Sequence, residues 1–339
     1  MRFVTPDMAR RVSAECAQAL CRLLQPDGRF IYRYKLGESK STDKHYSSVR
    51  HIGAIWYLLE ANSALGPLDG ARDAAVKAGE HMIEHFLVPY LGNQALAVLS
   101  EGFAKLGGSG LAISALCRLY DATGDARYLD LAGQAAAFVL AQQQDTGDLV
   151  QVRQYPLGVV HPARDAFQAG QAVMGLMCFY EQTGEQKLLD AVLKSVKFLD
   201  TASYGVRTFS HWMLYGLEKV YEHVPNPAIA AYAERIASRM LEDTSYRKAG
   251  LSTPIACRAE GLLAYDRLLG NAGIEPSDSR RTNVMRQIRQ NLSAVLKFRA
   301  DGGVFIEGYK KPEVRIDFIF HPGRAFLAYS MQAGSESAS

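Results

Sequence analysis

Leu116-Cys117-Arg118-Leu119-Tyr120-Asp121-Ala122-Thr123-Gly124-Asp125 and Leu176-Met177-Cys178-Phe179-Tyr180-Glu181-Gln182-Thr183-Gly184-Glu185 are two copies of one local pattern. A looser third copy is Leu217-Glu218-Lys219-Val220-Tyr221-Glu222-His223-Val224-Pro225-Asn226. Each is the end of an apolar helix that carries a Tyr with an acidic residue after it. Each then breaks at Gly or Pro, and an acidic residue or Asn stands ready to cap the next helix. The adjoining segments, 126–144, 186–201 and 227–242, place apolar residues at helical spacing. The repeated unit is therefore helix, tight turn, helix, and internal repetition of this kind governs the whole fold.

Working outward from these copies predicts about twelve helices. The first members of the pairs begin near Val49, Ser109, Asp165, Phe209, Pro254 and Ile319. Their partners cover 70–87, 126–144, 186–201, 227–242 and 279–298. The segment 5–25 has no partner in its own hairpin and is free to pair with the C-terminal helix. The first members are apolar all round, as in Ser109-Gly110-Leu111-Ala112-Ile113-Ser114-Ala115-Leu116, which predicts burial on every side. The partners are amphipathic, with Lys187, Asp190, Lys194 and Lys197 on one wet face. These two kinds of helix imply an inner and an outer layer. The expected fold is all-α, an (α/α)6 barrel or toroid of helical hairpins.

A second recurrence adds short β excursions. Pro26-Asp27-Gly28-Arg29-Phe30-Ile31-Tyr32, Asp145-Thr146-Gly147-Asp148-Leu149-Val150 and Ala300-Asp301-Gly302-Gly303-Val304-Phe305 each come after an outer helix. Gly permits the turn and the alternating apolar residues after it read as short strands. These excursions lie at the ends that lead back to the inner helices. The chain is expected to form a single domain over 1–332 with a flexible tail over 333–339.

Composition bounds the function. Of 339 residues, 48% are apolar and 22% charged, with a net charge of +3, the balance of an ordinary soluble enzyme. Lys and Arg are scattered, which argues against nucleic acid as a partner. The N-terminus carries Asp7 and Glu15 without a signal-like apolar run, and no stretch is long enough to span a membrane. The five cysteines, an odd number set mostly in apolar helical stretches, read as free thiols and a cytoplasmic location.

Polar residues gather where the first helices begin. Arg50 and His51 stand in the first, Asp165 with Gln168 and Gln171 in the third, and Ser210-His211-Trp212 in the fourth. Arg258 and Glu260 stand in the fifth, and Arg315, Asp317, His321 and Arg324 near the last. The predicted architecture brings these starts around one axis, and that convergence is what makes them candidates. Plainer roles exist for each. Asp165 and Ser210 suit helix caps, Arg258–Glu260 and Arg315–Asp317 suit ion pairs, His211 suits a core hydrogen bond, and Arg50-His51 suits a passive wall. His81-Met82-Ile83-Glu84-His85 spaces two histidines as zinc sites do, yet falls on an outer helix and reads as a solvated face. No convincing metal-ligand spacing occurs, and neither a metal nor another cofactor is expected.

The pattern resembles the six-hairpin glycosidase superfamily: glycoside hydrolases, unsaturated glucuronyl hydrolases and N-acylglucosamine 2-epimerase-like proteins. The likeness is carried by Leu116–Ala132, Asp165–Glu185, Ser210-His211-Trp212, Arg258-Ala259-Glu260-Gly261 and Arg315-Ile316-Asp317. It covers nearly the whole chain and implies sugar chemistry, with an oligosaccharide or sugar-containing molecule as partner. For a glycoside hydrolase, Asp165 and Glu260 are the expected acid–base pair, with Asp317 in reserve. Burial would raise the Glu260 pKa and suit it to the acid's role. Arg50, His51, Arg258, Arg315, His211 and His321 would hold hydroxyls or a substrate carboxylate, and Trp212 and Tyr46 would stack on sugar. For an epimerase or lyase, His211 or His321 would move a proton. A ring that binds glycan or protein without catalysis is the third alternative. The sequence leaves the oligomeric state open.

Overall fold

The computed structural model describes residues 4–38, 45–90, 92 and 94–336, with side chains described up to 332. Twelve α-helices occur among them: α1 Pro6–Leu23, α2 Ser48–Leu65, α3 Ala71–His85, α4 Leu106–Thr123, α5 Arg127–Ala141, α6 Gln168–Thr183, α7 Gln186–Thr201, α8 His211–His223, α9 Pro227–Glu242, α10 Ser252–Asn271, α11 Ser279–Val295 and α12 Ile316–Glu336. Short strands interleave: β1 Arg33–Lys35, β2 Leu87–Tyr90, β3 Ala95–Ser100, β4 Phe103–Lys105, β5 Val152–Gln154, β6 Val160–His161, β7 Ile306–Gly308 and β8 Lys311–Arg315.

The repeated pattern ends helices as its residues dictate. Gly124 and Gly184 come directly after α4 and α6 with φ of 75° and 67°, and each donates its N–H to a Tyr carbonyl, of Tyr120 and Tyr180, at 2.7 Å. Positive φ is what Gly supplies at this position. Thr123 and Thr183 hydroxyls donate back to the carbonyls of Leu119 and Phe179 and accept from the N–H of Asp125 and Glu185. In the third copy Asn226 Oδ1 accepts from Ala228 N–H at the start of α9.

The three β excursions are equally alike. Bridges Leu24↔Phe30, Gln143↔Leu149 and Arg299↔Phe305 close the same small loop, across Gly28, Gly147 and Gly302 at φ of 84°, 93° and 75°. Several boundaries shift from expectation. α10 begins at Ser252, because Pro254 is tolerated in a first turn, so Glu260 sits more than two turns in. α12 begins at Ile316 and carries Pro322 inside it, so His321 is an interior helical residue. α12 also runs to Glu336, past the expected boundary at 332. The α6 helix starts at Gln168, three residues after Asp165.

The chain divides into two compact units. One comprises Met1–Tyr46, Gly53–Ala78 and Met240–Ser339. In it α1 packs on α12 and α10 packs on both α11 and α12, so the first and last helices do pair. Its antiparallel sheet has the order β1-β8-β7. The other unit comprises Ser47–Ile52 and Gly79–Arg239. Here α4 packs on α5 and α6, α6 packs on α7 and α8, and an antiparallel sheet runs β2-β3-β4-β5-β6. Residues Leu106 to Cys117 of α4 are buried without a break, as expected of an inner helix, while Lys187, Asp190, Lys194 and Lys197 of α7 are exposed. The five cysteines are free thiols.

Glycine sets the α4–α6 spacing. A Cβ on Gly175 would lie 2.2 Å from the carbonyl oxygen of Gly110, and one on Gly110 would lie 2.4 Å from that of Gln171. Backbone meets backbone here, and nothing can rotate aside. Gly175→Ala should therefore lower stability despite the roughly 0.5–1 kcal/mol that Ala ordinarily gains in a helix. Overpacking of this kind typically costs about 1–3 kcal/mol. Urea unfolding of the variant should show a lower midpoint; an unchanged midpoint would mean the helices can separate freely.

Candidate active site

The first unit assembles a buried polar cluster on α2, α10 and α12. Glu260, on α10, has no exposed surface and apolar neighbours Leu262 and Leu263 in the chain. A buried carboxyl is costly unless partnered. Its Oε1 lies 2.7 Å from Nδ1 of His321, and its Oε2 accepts from Nη1 of Arg324 at 3.4 Å. Both partners come from α12, where they are three residues apart and so share a face. Arg324 also donates from Nε to Glu60 Oε2 at 2.8 Å and lies 3.3 Å from the centroid of the Trp56 ring. Glu60 and Trp56 are four apart on α2. One planar guanidinium thus serves two carboxyls and one aromatic face, the geometry in which Arg and Lys are not interchangeable.

The His321–Glu260 contact orients the imidazole. With Nδ1 turned to the carboxyl, Nε2 is the ring nitrogen directed away from Glu260. Cys257 stands one turn before Glu260, and its Sγ lies within 4.8 Å of a ring nitrogen of His321. The residue keeps some accessible surface, unlike Glu260. Its thiol is pushed well above its usual range, chiefly by burial of the sulfur and then by the Glu260 and Asp317 carboxyls.

Other candidates in this unit are held in pairs. Arg315 grips Asp317 through both its Nε and its Nη2, the latter at 2.8 Å from Oδ2, and lies 4.2 Å from the Phe318 ring centroid. Arg258 bonds to Asp243 at 3.2 Å, with its guanidinium 4.4 Å from the Tyr246 centroid. Burial pushes the Arg258 pKa down, and Asp243 opposes the shift. Tyr46 accepts from the N–H of Phe30 at 3.0 Å and sits 5.1 Å from the Tyr32 ring; burial pushes its pKa up. A buried carboxyl is not by itself a site: Asp266, also fully buried on α10, is clasped by Arg281 at 3.0 and 2.9 Å in a structural pair.

The second unit holds the remaining candidates. Asp165 is exposed, and its Oδ1 accepts from the N–H groups of Phe167 and Gln168 at 2.6 and 3.1 Å, capping α6. Ser210 caps α8 by accepting from Met213 N–H at 3.3 Å. His211 and Trp212 are buried beside each other, ring centroids 5.0 Å apart, with Phe167 and Tyr215 at 5.6 and 6.3 Å from His211. His51 is fully buried against His81 and Phe86, at 5.4 and 5.2 Å, while Arg50 is half-buried beside it. His81 is therefore a core residue and not part of a solvated face; only its companion His85, 4.3 Å away, is substantially exposed.

No family profile and no curated protein matches the sequence. The structure, in contrast, aligns over nearly its full length with solved proteins. D-mannose isomerase superposes with a TM-score of 0.75 at 12% identity, covering 98% of this chain and 100% of that one. Cellobiose 2-epimerase from Bacillus thermoamylovorans gives 0.72 at 10% identity, over 97% and 100%. The α-1,6-mannanase of Salegentibacter sp. gives 0.71 at 12% identity, over 95% and 99%. The fold is an (α/α)6 barrel, as in these proteins. Short antiparallel strands accompany this barrel fold, as expected from the Gly-bearing exits, and no helix among the described residues is long and apolar enough to cross a membrane.

In the sequence Arg324 stands among the polar residues near the last helix without a role, Cys257 reads only as a free thiol, and Glu60 and Trp56 belong to no motif. Glu60 does leave a signal, as a lone carboxyl directly after the apolar run Ile52–Leu59. Arg324→Met should be strongly destabilising, by about 3–5 kcal/mol, because it strips the cationic partner from two carboxyls. Arg324→Lys should recover only part, since ammonium keeps charge but loses the fork and the stack on Trp56. Denaturant titration of both variants checks the order; equal stability to wild type in Arg324→Met would remove the cluster's structural role.

Proposed function

We propose that the chain is a carbohydrate-active enzyme that moves a proton on a reducing sugar, an epimerase or isomerase, with His321 as its base. The observation that carries this reading is the 2.7 Å contact between His321 Nδ1 and the fully buried Glu260. A carboxyl anchored behind an imidazole fixes which nitrogen is basic and holds the ring in one orientation. Imidazole is the side chain suited to taking a proton beside a carbonyl near neutral pH. The sugar substrate class is supported by the barrel fold shared with D-mannose isomerase and cellobiose 2-epimerase. The aromatic face of Tyr46, in the same unit as His321, is suited to sugar stacking.

A glycoside hydrolase is the second reading, favoured by the likeness to α-1,6-mannanase. Hydrolysis calls for two carboxyls free to meet leaving group and water. The carboxyls proposed for it have other engagements. Asp165 caps a helix, Asp317 is gripped by Arg315, and Glu260 is engaged at both oxygens. That weighs toward proton transfer.

Incubation with a panel of aldoses, ketoses and reducing disaccharides in deuterium oxide tests the choice. The expected outcome is deuterium gained at carbon together with an isomeric sugar of otherwise unchanged composition. New reducing ends from an oligosaccharide, without such exchange, would favour hydrolysis instead. On the sugar found, His321→Asn should lower kcat by about 10²–10⁴-fold, the usual worth of general acid–base help, with the fold intact by circular dichroism.

A further inference from the structure

A base at one carbon is half of an enolisation. As the proton leaves, charge develops on the neighbouring carbonyl oxygen, and an acid placed there lowers the barrier. His321 faces one candidate in its own unit that no role yet explains. Cys257 Sγ lies within 4.8 Å of a His321 ring nitrogen, and the residue stands one helical turn from Glu260. We propose that Cys257 is the acid partner of His321, its thiol carrying the hydroxyl proton between adjacent oxygens of an enediol. This rests on the proton-transfer reading of His321.

The spacing decides how the two groups divide the work. Reacting atoms sit roughly 3–3.5 Å apart, so two groups that attack one carbon from opposite faces must be about 6–7 Å from each other. A separation within 4.8 Å of a ring nitrogen puts the thiol beside the imidazole rather than across from it. It suits groups on one side of the substrate that address neighbouring atoms. Burial, with help from the Glu260 and Asp317 carboxyls, holds the thiol protonated and a poor nucleophile, and the imidazolium that forms on His321 beside it favours the thiolate as the proton is given.

The steps balance without a further reactant. His321 takes the proton from C2 of an open-chain aldose, and the C–H pair forms the C1–C2 double bond. The carbonyl pair moves to O1, which takes the thiol proton. This leaves an enediol, an imidazolium and a thiolate. The imidazolium returns its proton to C1, and the thiolate takes the proton of the O2 hydroxyl as C2 becomes the ketone. Both side chains end as they began, and the product is the 2-ketose. Same-side geometry thus favours aldose–ketose isomerisation over inversion by two opposed groups.

The test uses the full chain and the sugar on which wild type acts. Cys257→Ala should lower kcat by roughly 10²-fold or more while KM moves only a few-fold. As a second measurement, wild type is capped with methyl methanethiosulfonate, occupancy of Cys257 is read by peptide mass, and the cap is released with dithiothreitol. Turnover should vanish on capping and return on release, while residual turnover of Cys257→Ala is unaffected. A kcat within about three-fold of wild type in Cys257→Ala, or turnover retained with Cys257 capped, overturns the proposal while leaving His321 in place. Absence of exchange by wild type across the panel overturns the reading of His321 as well.

Discussion

A carboxyl group with no exposed surface has to find every partner inside the protein, and Glu260 is such a group. Its requirement ties α10 to α12 through His321 and Arg324. Arg324, itself buried, then needs a second acceptor and finds Glu60 on α2, with the Trp56 ring beneath its guanidinium. Each member satisfies the next, so the network stands or falls together. The same anchoring that makes the arrangement tolerable in an apolar setting also orients the His321 ring. Structural demand and chemical pre-organisation therefore coincide in one set of contacts.

The helices that carry this network are shaped by a different constraint. Inner helices that are apolar all round can approach closely only where side chains are absent. Gly110 and Gly175 do this between α4 and α6, and Gly323 on α12 does so against the Tyr57 ring of α2, where a Cβ would lie 2.4 Å away. Close approach fixes helix positions to within fractions of an ångström. A buried hydrogen bond such as that of Glu260 to His321 depends on such precision. The outer helices, wet on one face, carry no comparable demand, and their exposed lysines reflect it.

Two buried carboxyls on α10 separate structure from chemistry. Asp266 meets an Arg fork and nothing that titrates near neutral pH. Glu260 meets a histidine, next to a thiol held protonated. Both satisfy the cost of burial, but only the second sets an imidazole against the carboxyl. That difference, rather than burial itself, is what the proposed proton transfer draws on.

The fold was legible because its determinants are local. Tyr-acidic-x-Thr-Gly ends a helix through bonds that span four residues, and Asp-Gly exits turn the chain through one positive φ. Such signals repeat and can be counted along a line. The candidate site was legible only as a set of residue types at the starts of predicted helices. Glu260 and His321 stand in that set, the one as an acid and the other as a sugar-holding residue or a base, but not as partners. Asp165 reads equally well as cap or catalyst in sequence, and its bonds to Phe167 and Gln168 N–H are those of a cap. Glu260 pairs with Arg324, 64 positions on, a partner that no local spacing along the chain announces. Sequence alone determined the repeating hairpins and the glycines between them, since these arise from backbone conformation over a few residues. Which charges meet was decided only by tertiary packing, because the energy of a buried pair depends on distance and burial, and neither exists until the helices come together.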